Sequence, residues 1–407
     1  MTSVLVNSPV KIIRKNSRTV RHSVSYLCAL LLILYTVFYY YYELFNGNKD
    51  DGVNVIILLF TTVCDFALLI AILSKSKRIP IRLTLLSGIF IITSIISFFV
   101  TGSGFHRILV LSMILLASYL FLTQPLNKNE AKKIFWIFCI AAVIIFLNTS
   151  DIGKEAGKFN SNTGGFLASV IYCAALSLLI TTERNKRWKY LLVAIIAFAL
   201  QFKFGSRTAL FGLLLFTLAV IVLRANKKTF SAKTVVLFII FLACLGIGVA
   251  YVYAEVLPNV IGNKNVIIFG KNLFSGREGI WHYTFESVKS NLLFGVGGRL
   301  NEKYVIDNPI FGEAHNSSLG ILAGNGVFVF VAFYSALAAV LASVYAKCNR
   351  IKKSFVNRLP AIFMAVIICM SFFDNYFTSL YNVLPIIIIM SVIASARGQY
   401  RRIRRVK

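Results

Sequence analysis

The chain has 407 residues, of which 58% are hydrophobic and only 14% are charged. Soluble domains average about 45–50% apolar and about 25% charged residues, so this composition excludes a soluble enzyme, a disordered chain and a secreted disulfide scaffold. The formal net charge of +28 would favour nucleic-acid binding in a soluble protein. In a membrane protein the same charge reports topology instead.

Hydrophobic runs long enough to cross a bilayer as helices recur along the sequence and predict an all-α polytopic membrane protein with about twelve transmembrane helices. The predicted spans are 24–45, 53–73, 83–100, 108–123, 134–147, 164–182, 190–202, 208–223, 234–254, 317–346, 359–373 and 377–395. The tenth run exceeds one straight span, and Gly324-Asn325-Gly326 predicts a break within it.

The basic residues predict that both termini are cytoplasmic. With the N-terminus inside, 31 of the 43 Lys and Arg residues fall in cytoplasmic segments, as the positive-inside rule requires. All acidic residues except Asp65, Glu130 and Glu183 then fall on the outer side. The cytoplasmic Lys and Arg residues match anionic inner-leaflet lipid, and they give no evidence for nucleic-acid binding. The first apolar run predicts an anchoring span and not a cleaved signal peptide.

We expect one integral membrane domain over residues 1–407 with a single large outer loop at 255–314. Long loops usually carry function when the rest of a chain is scaffold. Within the loop, Ser275 and Glu278 form a capping box, which predicts a helix that starts here. Its apolar face would hold Trp281, Phe285, Val288 and Leu292. The pattern favours an amphipathic helix lying on the outer membrane surface.

Three positions on the predicted outer side are candidate site residues. Arg277 lies in the first turn of the loop helix, where free N–H groups and a guanidinium suit an anion. Arg207 lies in the turn between the seventh and eighth spans. His315 precedes the tenth span, which Asn316 or Ser317 can cap, and a helix N-terminus disfavours positive charge nearby, as a general base requires.

Each of these positions also has an ordinary interpretation. Arg277 could be a snorkelling side chain, Arg207 a charge tolerated in a short turn, and His315 a residue without a role in chemistry. The supporting candidates, Lys203, Arg299, Asn316, Asp374 and Lys158, are residues of outer turns or caps. Asp65 is a lone acid within a span, and such acids are candidates for function. Two guanidiniums and a neutral His, with no paired acids for a metal, favour a metal-free reaction on an anionic lipid substrate and no cofactor.

The order of motifs resembles the bacterial O-antigen polymerase and O-antigen ligase superfamily, which includes the Wzy-type polysaccharide polymerases. The matching pieces are Phe-Gly-Ser-Arg-Thr-Ala-Leu (204–210), Ser-Gly-Arg-Glu-Gly-Ile-Trp (275–281), Asn-Leu-Leu-Phe-Gly-Val-Gly (291–297) and His-Asn-Ser-Ser-Leu (315–319). They cover the middle of the chain in the family's order, whereas the first 150 residues match only in hydropathy.

The resemblance implies a membrane glycosyltransferase with a GT-C-like helical fold in the bacterial cytoplasmic (inner) membrane. Its donor would be an oligosaccharide on undecaprenyl diphosphate. By the family's pattern Arg207 and Arg277 would bind the diphosphate, and His315 would deprotonate the acceptor hydroxyl. The family also implies a chain-length regulator and a flippase as partners, beside membrane lipid.

Three alternatives stay open on the sequence. A polymerase and a ligase share these motifs and differ in the acceptor, which is a second lipid-linked repeat unit or the lipid A core, and we favour the polymerase of O-antigen or capsular polysaccharide. A flippase for lipid-linked sugar would not need a His at an outward-facing helix start. A purely structural membrane protein would tolerate replacement of His315 and of both Arg residues.

Overall fold

The structure is a computed structural model that describes residues 23–46, 55–75, 81–156, 161–225, 231–261, 267–268, 271–272, 276–297, 314–351 and 355–403. These residues are almost entirely helical. The exception is a short antiparallel pairing of Ile267–Ile268 with Lys271–Asn272 in the predicted outer loop. The all-helical fold class is therefore confirmed for the described part of the chain.

The helices follow the predicted spans in chain order. They are α1 (Val24–Asn46), α2 (Val55–Lys75), α3 (Ile81–Thr101), α4 (Phe105–Thr123), α5 (Lys128–Ala156), α6 (Ser161–Thr181), α7 (Arg187–Phe204), α8 (Arg207–Ala225), α9 (Ala232–Tyr251), α10 (Leu257–Ile261), α11 (Arg277–Ser290), α12 (Ser317–Ile351), α13 (Leu359–Met370) and α14 (Leu380–Ile403). Short 3₁₀ turns (Arg184–Lys186, Phe355–Arg358) and a π-helical turn (Val252–Val256) join some of them.

Eight helical segments in the described residues are long and apolar enough to cross a membrane, and two shorter apolar helices lie at Phe355–Met370 and Leu380–Ser395. Each of the twelve predicted spans coincides with one helix. The helices therefore support an integral membrane protein, while the count of twelve crossings stays a prediction.

Helix α14 forms the centre of the bundle. Its residues 382–395 are all buried, and it packs against α1, α4, α5 and α6. A helix that is apolar on every face suits such a central position. By contrast α3, α8 and α9 expose large apolar side chains such as Phe99, Leu218 and Phe241. These helices form the surface that hydrocarbon would cover.

The predicted break in the tenth span is confirmed. Gly326 has φ 81° and ψ 173° within α12, a conformation that is open in practice only to glycine. The backbone of residues 292–297 fills the break: Val296 N–H donates to Ala323 O at 2.9 Å, and Val327 N–H donates to Leu292 O at 2.9 Å. Irregular backbone at membrane depth needs such partners from the protein.

The structure corrects the predicted placement of the loop helix. Helix α11 begins at Arg277 with Gly276, at φ 81°, as its N-cap, whereas Ser275 of the predicted capping box lies outside the described residues. Trp281 is fully buried in the protein and does not lie in the membrane interface, because α11 packs against α9, the π-helical turn and α12. Leu292 lies beyond the helix end and is exposed, so it is not part of the apolar face.

Candidate functional site

The segment that carries His315 is anchored by its neighbour Asn316. The Asn316 Oδ1 accepts the N–H of Leu319 at 2.9 Å, which makes Asn316 the N-cap of α12. Its Nδ2 donates to Gly246 O at 2.9 Å and to Phe372 O at 3.0 Å. One buried amide thus joins the start of α12 to α9 and to the turn after α13. These bonds hold the backbone beside His315 in place.

Ser317 fixes the same segment to the turn between α13 and α14. Its N–H donates to Ser371 O at 3.0 Å, and its hydroxyl donates to Asp374 O at 3.2 Å. The same hydroxyl accepts the N–H of Phe377 at 3.0 Å. These bonds determine where Asp374 lies relative to His315, although the two residues are far apart in sequence.

The His315 side chain faces Asp374. Its Nδ1 lies 3.7 Å from Asp374 Oδ1, with the two side chains 23% and 14% exposed. The same Oδ1 accepts the N–H of Asn375 at 2.9 Å. His315 is the one non-glycine residue with positive φ, at 46°, in the described part of the chain. Strained backbone of this kind concentrates at functional sites, and the Asp374 carboxylate lies on the Nδ1 side of the imidazole.

Helix α11 brings Arg277 to the same end of the bundle. Trp281, one turn further along, donates its Nε1–H to Ala314 O at 2.6 Å, and its ring packs edge-on against Tyr253 of the π-helical turn at 5.0 Å. Arg277 is half-buried at the first position of the helix. The helix N-terminus and the guanidinium there both favour an anion.

Glu278 follows Arg277 and is half-buried. Burial raises the pKa of its carboxyl, and hydrogen bonds from the backbone N–H groups of Glu278 and Gly276 lower it in part. The Glu278 carboxylate therefore binds the N–H of the N-cap residue Gly276, and the Ser275 half of the predicted capping box lies outside the described residues.

The turn that carries Arg207 packs closely on the start of α6. Gly205, at φ 61°, ends α7, and Arg207, half-buried, begins α8. A Cβ on Gly165 would lie 2.5 Å from Ser206 Cβ, so only glycine permits this approach. Gln201 Nε2 also donates to Gly165 O at 3.0 Å. Gly164 and Gly165 in the first turn of α6, which face Phe204 and Ser206, therefore position this turn.

Tyr376 connects the two halves of the site. Its ring stacks on Phe166 of α6 at 4.3 Å, and Phe166 follows the Gly165 that contacts the Arg207 turn. The Asp374 carboxylate and the Arg277 guanidinium both act electrostatically on the Tyr376 phenol. These contacts bring Arg207, Arg277, His315 and Asp374 to one end of the bundle, which we call the His315 end.

The structure places the remaining candidate site residues differently. Lys203 is exposed in the last turn of α7. Arg299 and Lys158 lie outside the described residues. Asp65 is buried in α2 beside Tyr35 of α1, and in the described structure neither of its carboxylate oxygens has a hydrogen-bond partner. It belongs to a different part of the bundle.

Sequence reasoning missed the connecting role of Tyr376 and Phe166 and the bond from Trp281 to Ala314. The only available signal for Tyr376 was a hydroxyl among the phenylalanines at 372, 373 and 377. Across the described ranges, no group of three or more His, Cys, Asp or Glu side chains could hold a metal ion.

The segment that carries these motifs also matches a known family. Residues 192–334 match the model of a family described as O-antigen ligase. This match confirms the resemblance to the O-antigen polymerase and ligase superfamily, and it covers Arg207, Arg277 and His315 but ends before Asp374. Among curated proteins no match was found. The match supports a general role in O-antigen polymerisation or ligation without distinguishing the two.

Proposed function

We propose that this protein polymerises undecaprenyl-diphosphate-linked oligosaccharide repeat units into O-antigen or capsular polysaccharide. The observation that carries the proposal is the pairing of His315 Nδ1 with Asp374 Oδ1 at 3.7 Å, at the end of the bundle where Arg277 opens α11. A base beside an anion-binding residue is what transfer of a glycan from a diphosphate carrier requires.

The proposed roles follow from charge and position. Arg207 and Arg277 bind the diphosphate of the donor, because guanidinium groups match phosphate oxygens in geometry and charge. His315 Nε2 accepts the proton of the acceptor hydroxyl. Asp374 orients the imidazole through Nδ1, as a carboxylate does for a catalytic histidine.

The step balances as a direct displacement. The acceptor oxygen forms a bond to the anomeric carbon while the bond from that carbon to the diphosphate oxygen breaks. The acceptor proton passes to His315, and undecaprenyl diphosphate leaves with the bonding electron pair. Attack opposite the leaving group would invert the anomeric centre. The two guanidiniums would take the negative charge of the leaving group without a metal ion.

The proposal includes a topology. All twelve helices that coincide with predicted spans would cross the cytoplasmic membrane in a GT-C-like arrangement. Both termini would be cytoplasmic and the His315 end would face outward. One integral membrane domain with the loop 255–314 would then hold the site on the side where lipid-linked repeat units are joined. A flippase and a chain-length regulator are the proposed partners.

A second candidate is an O-antigen ligase, which would transfer the same glycan to the lipid A core. The description of the matched family favours it, and the chemistry at the His315 end would be unchanged. A flippase of lipid-linked sugar is a further alternative, in which the His315–Asp374 pair would have no chemical task.

The test is glycan length profiling in cells that lack the gene and are complemented with wild type, His315→Ala or Arg277→Ala, at matched protein levels. His282→Ala is the matched control, because His282 is an exposed histidine of α11. We expect single repeat units on lipid A core in the deletion strain and in both site variants, and long chains with the control.

The other outcomes separate the alternatives. Long glycan that accumulates on undecaprenyl diphosphate would identify a ligase. Normal long chains from both site variants would overturn the catalytic assignment and favour the transport or structural alternative.

A further inference from the structure

The side chain of Tyr376 is held rigidly at the His315 end. The residue is 1% exposed, and its ring stacks on Phe166 with an interplanar angle of 17°. The turn on either side is fixed, since Phe377 N–H donates to the Ser317 hydroxyl at 3.0 Å and Asn382 Nδ2 donates to Asn375 O at 3.3 Å. The ring is therefore held in place by its stacking and by the fixed backbone of its turn.

The Tyr376 hydroxyl has no hydrogen-bond partner in the described structure. A buried hydroxyl without a partner carries a desolvation cost, and a buried Tyr normally finds one. Stacking on Phe166 would be served equally by phenylalanine, which occupies the neighbouring positions 372, 373 and 377. The hydroxyl thus costs stability in the free protein, which indicates a partner that is bound only during function.

The charges around the phenol indicate what that partner is. Burial and the Asp374 carboxylate raise the pKa of Tyr376 well above its ordinary value, and the Arg277 guanidinium lowers it in part. The phenol therefore stays protonated and is a hydrogen-bond donor. A neutral O–H donor near a guanidinium suits an oxyanion, because a hydrogen bond to a charged acceptor is stronger than one between neutral groups.

We infer that the Tyr376 hydroxyl donates a hydrogen bond to the diphosphate of the lipid-linked donor, beside Arg277. This inference rests on the proposed function. It adds a neutral donor to the two guanidiniums and places it on the turn that also carries Asp374, outside the segment that matches the family. The phenol hydrogen bond would strengthen as the glycan leaves, since the departing diphosphate gains negative charge.

The test is binding of undecaprenyl diphosphate to the purified full-length protein in lipid nanodiscs, with Tyr376→Phe, Arg277→Ala and Tyr35→Phe compared with wild type. Tyr376→Phe keeps the ring and removes only the oxygen. Tyr35→Phe is the matched control, because the Tyr35 hydroxyl is buried between α1 and α2 and lies 2.7 Å from Thr61 Oγ1.

We expect Tyr376→Phe to weaken binding by about tenfold, the loss typical of one hydrogen bond to a charged group, with a melting temperature equal to or above that of wild type. Tyr35→Phe should leave binding unchanged and lower the melting temperature. A purely structural hydroxyl at Tyr376 would produce the opposite result, a lower melting temperature with normal affinity.

The two possible failures are distinguishable. Unchanged affinity in Tyr376→Phe together with weaker binding in Arg277→Ala would overturn the inference and leave the proposed function intact. A wild-type protein that does not bind undecaprenyl diphosphate, or an Arg277→Ala variant with normal affinity, would count against the proposed function and this inference together. An affinity loss in Tyr376→Phe that accompanies a lower melting temperature would also overturn the inference.

Discussion

The indole Nε1–H of Trp281 donates a hydrogen bond to the backbone oxygen of Ala314 at 2.6 Å, and Ala314 directly precedes His315. One contact thus links the helix that begins with Arg277 to the backbone of the proposed base. Both residues of this bond are buried. The position of Arg277 relative to His315 is therefore determined by packing within the protein, independently of the surrounding lipid.

Replacement of Trp281 by Phe should reduce activity. The variant keeps most of the buried ring but leaves the Ala314 oxygen without its donor, which costs about 1–3 kcal/mol of stability. A shift of His315 would lower the rate by about tenfold or more, because catalysis is sensitive to small misplacements. Glycan transfer and melting temperature are the measurements. Trp188→Phe, at an exposed position in α7, is the control, and equal behaviour of the two variants would contradict the prediction.

Replacement of Asp374 by Asn should remove the charge beside His315 and preserve the turn. The Asn side-chain oxygen can still accept the N–H of Asn375, as Asp374 Oδ1 does at 2.9 Å. We expect the transfer rate to fall by about 10²–10⁴-fold, by analogy with loss of the orienting carboxylate in other histidine-based sites. Glu286→Gln, which alters an exposed carboxylate paired with Lys289, should retain full activity. An active Asp374→Asn enzyme would show that the carboxylate has no part in the reaction.

Replacement of Gly326 by Ala should disrupt the break in α12. An added Cβ would overlap Leu293 O, and φ 81° is unfavourable for alanine. Overpacking and backbone strain each cost about 1–3 kcal/mol, so a large drop in melting temperature is expected. Gly102→Ala is the matched control, since Gly102 has φ 66° but no atom within 4 Å of the added Cβ, and it should lose only about 1–2 kcal/mol. Equal losses in the two variants would show that contact with residues 292–297 is unimportant.

The carboxyl of Glu278 should make stability depend on pH. Burial raises its pKa above the ordinary value in the folded protein, so the folded state binds its proton more readily than the unfolded state does. Stability contributed by this group therefore falls as pH rises from the ordinary glutamate range through the folded pKa. We therefore expect the melting temperatures of wild type and Glu278→Gln, measured between about pH 4 and about pH 8, to separate as the pH rises. The variant should be the more stable protein at higher pH.

Glu286→Gln is a control in which stability should depend on pH in the opposite direction. The hydrogen bond from Lys289 lowers the pKa of the exposed Glu286 carboxyl, so any stability that it contributes is present at higher pH and is lost as pH falls. A wild-type and Glu278→Gln pair with parallel pH profiles would contradict the prediction for Glu278.

The sequence by itself determined the helical class, the positions of the helices and the break at Gly326. These features depend on local properties, namely runs of apolar side chains and the backbone freedom of glycine, which neighbours along the chain display directly. The sequence also supplied Arg207, Arg277 and His315 as candidates, because each stands in a short motif next to a helix start.

Only the tertiary structure decided which of these residues meet and what holds them. The bonds of Ser317 to the turn after α13 place Asp374 beside His315. Tyr376 stacks on Phe166, which lies next to the Arg207 turn. Trp281 turned inward although its spacing suited the membrane surface equally well, because an apolar face does not specify whether lipid or protein covers it. Contacts between distant segments depend on how the helices pack, and hydropathy along one chain carries no record of that packing.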